Sequence, residues 1–108
     1  MVIHSIYAHR VEKGIKIGYS SVYEKRLKQY ESHGDIIQEI GVVRVNNRDV
    51  DNIIKKVLYE EKCNVTIGNQ SSTEVYDISE LTTLKILNYI KKNDHVNPNI
   101  IRKIIHNQ

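Results

Sequence analysis

Apolar and polar side chains alternate along the start of the chain, and that alternation constrains the fold more than any other feature. Val2, His4, Ile6 and Ala8 alternate with Ile3, Ser5, Tyr7 and His9, the period-two pattern of a strand. A polar stretch from Arg10 to Gly14 turns the chain, after which Ile15, Ile17 and Tyr19 alternate with Lys16 and Gly18. Two such segments joined by so short a connection pair as an antiparallel hairpin. With the more aliphatic side of each turned inward, Tyr7 and Lys16 share the outer face.

The remaining chain reads as helices around one more strand. Ser21-Val22-Tyr23-Glu24 is a capping box that starts a helix, and Tyr23, Leu27 and Tyr30 form a stripe along it with Arg26 one turn before Tyr30. Ser32 to Asp35 ends that helix. Residues Ile36 to Val45 are rich in Ile and Val and suit a long buried strand. Val50, Ile53, Ile54, Val57 and Leu58 follow the i, i+3, i+4, i+7, i+8 rule of an amphipathic helix. Asn64 to Thr73 reads as a loop that delivers Glu74-Val75-Tyr76 to a further helix, Ser79 to Lys92, with Leu81, Leu84, Leu87 and Ile90 on its inner side. A last helix is capped by Asn97, has Pro98 at its first position, and carries Ile100, Ile101, Ile104 and Ile105. The expected class is mixed α/β (α+β), a three-stranded antiparallel sheet flanked by helices in a single domain, residues 1–108.

Composition narrows the function classes. With 40% apolar and 27% charged residues and no apolar run of about 20 residues, no membrane helix is expected. The N-terminus lacks the basic start and long apolar segment of a secretory signal, so an intracellular protein is expected. Cys63 is the single cysteine, which rules out an intramolecular disulfide and leaves oxygen or imidazole as metal ligands. The histidines at 4, 9, 33, 95 and 106 have no metal-ligand spacing, and His9 and His33 are at most bystanders. Sixteen Lys and Arg against thirteen Asp and Glu give a net charge of +3, which tolerates a phosphate partner without demanding one. Heavy use of Ile, Lys and Asn points to an AT-rich source such as a virus, a phage or a low-GC bacterium.

The order hairpin, helix, strand, helix, carboxylate, helix resembles that of the GIY-YIG nucleases, small viral and phage branch. Ser5-Ile6-Tyr7 is similar to the first signature tripeptide and Lys16-Ile17-Gly18 to the second. Arg26 lies where the family keeps an essential arginine, Tyr30 where several branches place a tyrosine, and Glu74 where the metal-binding glutamate falls. The resemblance covers about residues 3–78, and the helices at about 79–106 carry no family signature.

The resemblance implies a divalent-metal-dependent endonuclease acting on DNA. In that chemistry Tyr7 accepts the proton of the attacking water once a cation such as Lys16 favours its phenolate over the usual phenol of pKa about 10. Arg26 neutralises a non-bridging phosphate oxygen with its planar fork of donors, Tyr30 donates a hydrogen bond, and Glu74 holds Mg²⁺ or Mn²⁺, for which one protein carboxylate suffices. Gly18, Tyr19 and Lys25 are the expected contacts to the nucleic acid. Three positions depart from the pattern: Ser5 replaces a glycine, Lys16 replaces a tyrosine and shifts the base role to Tyr7, and Tyr19 stands where a cation often follows.

Plainer readings compete at each residue. Tyr7 packs across the hairpin, Arg26 pairs with Glu24 or Glu31 for little stability, Tyr23 and Tyr30 fill the core, and Glu74 favours a helix N-terminus. A catalytically silent nucleic-acid-binding or protein-interaction module on the same fold is the alternative function, and a purely structural viral or phage protein is a third. A domain of this size reads few bases, so a homodimer or partner protein is expected to supply specificity.

Overall fold

Strands β1 (His4–Val11) and β2 (Gly14–Ser20) form the expected antiparallel hairpin, with Ile6 opposite Tyr19, Tyr7 opposite Gly18 and His9 opposite Lys16. The structure, a computed structural model, describes residues 3–23, 25, 38–46, 48–67, 70–93 and 95–108, with side chains described except at 66, 67 and 70–74. Ladder pairing shortens the turn to Glu12-Lys13, because Val11 and Gly14 still pair.

β3 (Gln38–Val45) pairs with β1 on its other side. The β1–β3 ladder is regular from His4 to Ala8, which faces Gly41, and then skips a residue, so that His9 faces Glu39. Ile40 is therefore the extra residue of a bulge, a device that bends a strand and re-aims its side chains.

The sheet has five strands rather than three, in the order β3-β1-β2-β5-β4. The added strands are β4 (Asn64–Ile67) and β5 (Gln70–Tyr76), formed by the segment whose Gly, Asn and Ser content reads as a loop. Their pairing gives that polar segment backbone partners, and β5 covers the edge that β2 would otherwise expose. Gly14 admits this neighbour. Its φ is +154°, and a Cβ there would lie 2.5 Å from the Tyr76 carbonyl oxygen, so a side chain would push β5 away.

The later periodic segments form α1 (Asp49–Glu60), α2 (Glu80–Lys92) and α3 (Pro98–His106). The Ser79 hydroxyl caps α2 by accepting from the Thr82 amide at 3.0 Å, and Thr83 donates to the Ser79 carbonyl. Asn97 caps α3 by accepting from the Asn99 amide, with Pro98 at the first position. One expectation for α2 is corrected. Leu87 and Ile90 face inward with Ile86, but Leu81 and Leu84 are exposed, because the capping bonds turn Thr82 and Thr83 into the buried side of the first turn.

One face of the sheet, carrying Ile6, Ala8, Ile15 and Ile17, packs on Ile54 and Leu58 of α1, Ile86 of α2 and Ile101 of α3. Each fully buried side chain of this size contributes about 1.5–3 kcal/mol, so this layer dominates stability. No helix among the described residues is long and apolar enough to cross a membrane.

Candidate active site

Residues two apart on a strand share a face, so the face of β1 opposite the aliphatic layer carries Ser5, Tyr7 and His9. It is not an open outer face. Tyr7 is 1% exposed and His9 is fully buried, because the chain after β2 folds back over them. The Ser20 hydroxyl accepts from the Val22 amide at 3.0 Å, and the chain is helical at Tyr23 and Lys25, so Tyr23 lands on this second face. Glu24, the other half of the expected capping box, lies outside the described residues, as do Arg26 and Tyr30.

Three rings pack against one another here at tilted angles. The Tyr7 ring lies 4.9 Å from His9 and 5.3 Å from Tyr23, centroid to centroid, within the range in which tilted aromatic pairs attract. A chain of hydrogen bonds fixes two of them. Tyr23 donates its hydroxyl proton to Glu39 Oε1 at 3.0 Å, so at the 2.9 Å contact between His9 Nε2 and Tyr23 Oη the histidine is the donor.

Glu39 reaches this chain through the bulge. In a regular strand it would share the face of Gly41 and Val43, which look toward the aliphatic layer; the extra Ile40 sets it opposite His9 instead. Burial lowers the His9 pKa below its ordinary value, Glu39 works against that shift and Lys16 adds to it, and the balance favours the neutral ring.

Gly18 explains how Tyr7 fits. A Cβ at Gly18 would lie 2.5 Å from the Tyr7 hydroxyl oxygen and 2.6 Å from Cζ, so the phenol lies across β2 at a point without a side chain. Lys16 is half-buried, opposite His9 and on the same face as Gly18, one pleat repeat or about 7 Å along β2. Tyr7, Lys16 and Gly18 are thus brought together. Tyr19 is not: it packs on the aliphatic layer, its hydroxyl lies 2.7 Å from His4 Nδ1, and Arg48 covers its ring.

Glu74 lies in β5, one residue before Val75, which pairs with Lys16; its side chain is outside the described residues. Lys25 is exposed beside Tyr23 and lines a groove of about 410 Å³ with Val22, Val42 and Arg44.

His9, Tyr23 and Glu39 are the members of the site to which the sequence gives no such role: it places His9 as a bystander, Tyr23 in the core, and does not single out Glu39. His9 was accessible to sequence reasoning, being two residues from Tyr7 on an alternating strand. Glu39 was not, since a bulge leaves no local signature in so short a strand.

Comparison with protein families matches residues 2–91 to the T5orf172 domain, a phage-associated domain related to nuclease folds of the GIY-YIG and HNH-like kinds. Comparisons with curated proteins and with solved structures give no match. The family match spans all five strands, α1, most of α2 and every candidate site residue, and the chain belongs to the T5orf172 domain family.

Proposed function

We propose that the chain is a divalent-metal-dependent endonuclease that hydrolyses DNA phosphodiester bonds with a GIY-YIG-type site on the Tyr7 face of the sheet. The observation that carries this reading is the meeting of Tyr7, Lys16 and Gly18 on one face within a T5orf172 domain. Tyr7 takes the proton of the attacking water, and the Lys16 cation favours the phenolate that does so. Gly18 lets the phenol lie flat across β2, and His9 and Tyr23 hold its ring in place. These two are positioning residues.

The motif order assigns Arg26 to the non-bridging phosphate oxygens, Tyr30 to a hydrogen bond on the phosphate, and Lys25 to the backbone of the DNA strand; Gly18, covered by the Tyr7 phenol, serves to seat that ring instead. Glu74 is assigned to Mg²⁺ or Mn²⁺. With Glu74 as its protein carboxylate the ion would otherwise keep its own waters, an arrangement that suits magnesium. When bound, it supplies Lewis-acid stabilisation of the phosphate charge.

The near-complete burial of Tyr7 favours a second reading, a module that grips phosphates through Lys16, Lys25 and Arg26 without cutting. Cleavage of labelled single-stranded, duplex and branched DNA with Mg²⁺ or Mn²⁺ separates the two. Cutting that needs the metal and is lost in Tyr7→Phe, Arg26→Ala and Glu74→Ala supports the nuclease. Salt-sensitive binding with no cutting on any substrate would replace it with the silent module.

A further inference from the structure

Beside the Tyr7 face runs the groove of about 410 Å³, and it combines three properties that point to one kind of occupant. Its walls are largely apolar: Ile3, Val22 and Val42 line it, and all three keep much of their surface exposed. One side is the Tyr23 ring, whose hydroxyl is anchored to both His9 and Glu39. A ring held at its polar end is a pre-oriented stacking surface that loses little rotational freedom when a ligand arrives.

Cations stand on the rim. Lys25 and Arg44 line the groove, are exposed, and take part in no ion pair among the described residues. An apolar, aromatic-walled slot edged by positive charge fits a flat heterocycle joined to phosphate. The groove also continues the Tyr7 face. On the ladder Val42 lies directly opposite Tyr7 and Arg44 opposite Ser5, so the groove begins on the strand next to Tyr7's own.

We infer that this groove receives an unstacked nucleobase of the DNA strand whose phosphate lies over Tyr7 and Lys16, so that the protein prefers strands with accessible bases to continuous duplex. The assignment rests on the nucleic-acid reading proposed above and adds the form of substrate to it. A base inside a duplex reaches the slot only after unpairing and unstacking, whereas one in a single strand, gap or flap is already available. The apolar walls and Tyr23 take the base while Lys25 and Arg44 take its flanking phosphates.

The test measures binding of the full chain, in EDTA to prevent cutting, to a short thymidine strand, to the same strand made abasic throughout, and to a duplex of equal length. The native protein is expected to bind the thymidine strand about tenfold more tightly than either of the others. Val42→Gln and Val22→Gln, both surface changes, are expected to remove that preference while leaving affinity for the abasic strand and the melting temperature unchanged. Equal native affinity for the three ligands, or variants that weaken all three equally, would overturn the base slot and leave the phosphate grip standing. No binding to any of them would overturn both the slot and the nucleic-acid reading. A native dimer in sedimentation that Val42→Gln dissociates would assign the groove to a second copy of the chain instead.

Discussion

The two faces of β1 are built to different rules. On one side Ile6 and Ala8 meet a layer of isoleucine, leucine and valine; on the other Tyr7 and His9 are just as buried but meet rings, hydroxyls, a carboxylate and a lysine. An aliphatic layer gains stability with every methylene it hides. The polar face hides groups that must each be hydrogen-bonded to avoid a desolvation cost, and it holds a histidine whose charged form burial disfavours. A strand equally dry on both sides but polar on one is organised there for orientation more than for stability, which is the pattern expected of a functional surface.

Truncation on the aliphatic side gives the largest expected loss of stability. Ile54→Ala removes a fully buried side chain and should cost about 2–5 kcal/mol in denaturant melts, with any cleavage per folded molecule unchanged. A comparable loss of cleavage would break the division of labour between the faces. Gly18→Ala comes next, because its Cβ must displace the Tyr7 ring. About 1–3 kcal/mol is expected, together with cleavage reduced well beyond what the unfolded fraction explains.

Acidification probes the polar face more gently. Because burial lowers the His9 pKa, the unfolded chain takes up this proton more readily, so native stability falls as pH drops below the unfolded value of about 6.5 and levels off below the folded one. Between about pH 7.5 and 5.5 the melting temperature of the native chain should fall more than that of His9→Gln. Parallel curves would mean that the His9 ring is hydrated. Tyr7→Phe should change stability least, by about 1 kcal/mol or less, yet reduce cleavage about 100-fold or more; a Phe variant that still cuts at the native rate would remove Tyr7 from the chemistry.

Much of this organisation was legible wherever the signal is local and periodic. The β1–β2 hairpin, the sides taken by Tyr7 and Lys16, α1 and the Asn97-Pro98 start of α3 follow from alternation, helical spacing and capping chemistry. What escaped depends on partners far away in sequence. The β4–β5 hairpin has few apolar residues and gains its stability by pairing with β2; only the Gly68-Asn69 pair, a dipeptide suited to two-residue hairpins, hinted at it. Leu81 and Leu84 misled because leucine marks the inner side of most helices, whereas here threonines that share the capping bonds hold the inward positions. The covering of Tyr7 was not visible either, since it depends on where the chain after Ser20 lies in space. Arg26, Tyr30 and the Glu74 side chain lie outside the described residues, and their roles rest on their order in the sequence.

β3 has one residue more than its partner strand needs, and Ile40 is that spare residue, leaning on the aliphatic layer. Loss of Ile40 alone would bring Glu39 next to Gly41 and still opposite His9, so the carboxylate keeps its place while the strand shortens. Gain or loss of one residue between Gly41 and Val45 would instead interchange the two faces of everything beyond it. Within this strand, position 40 is therefore where chain length can drift between lineages without disturbing the polar face, and an insertion or deletion found at 42 or 43 would mark a protein that has abandoned it.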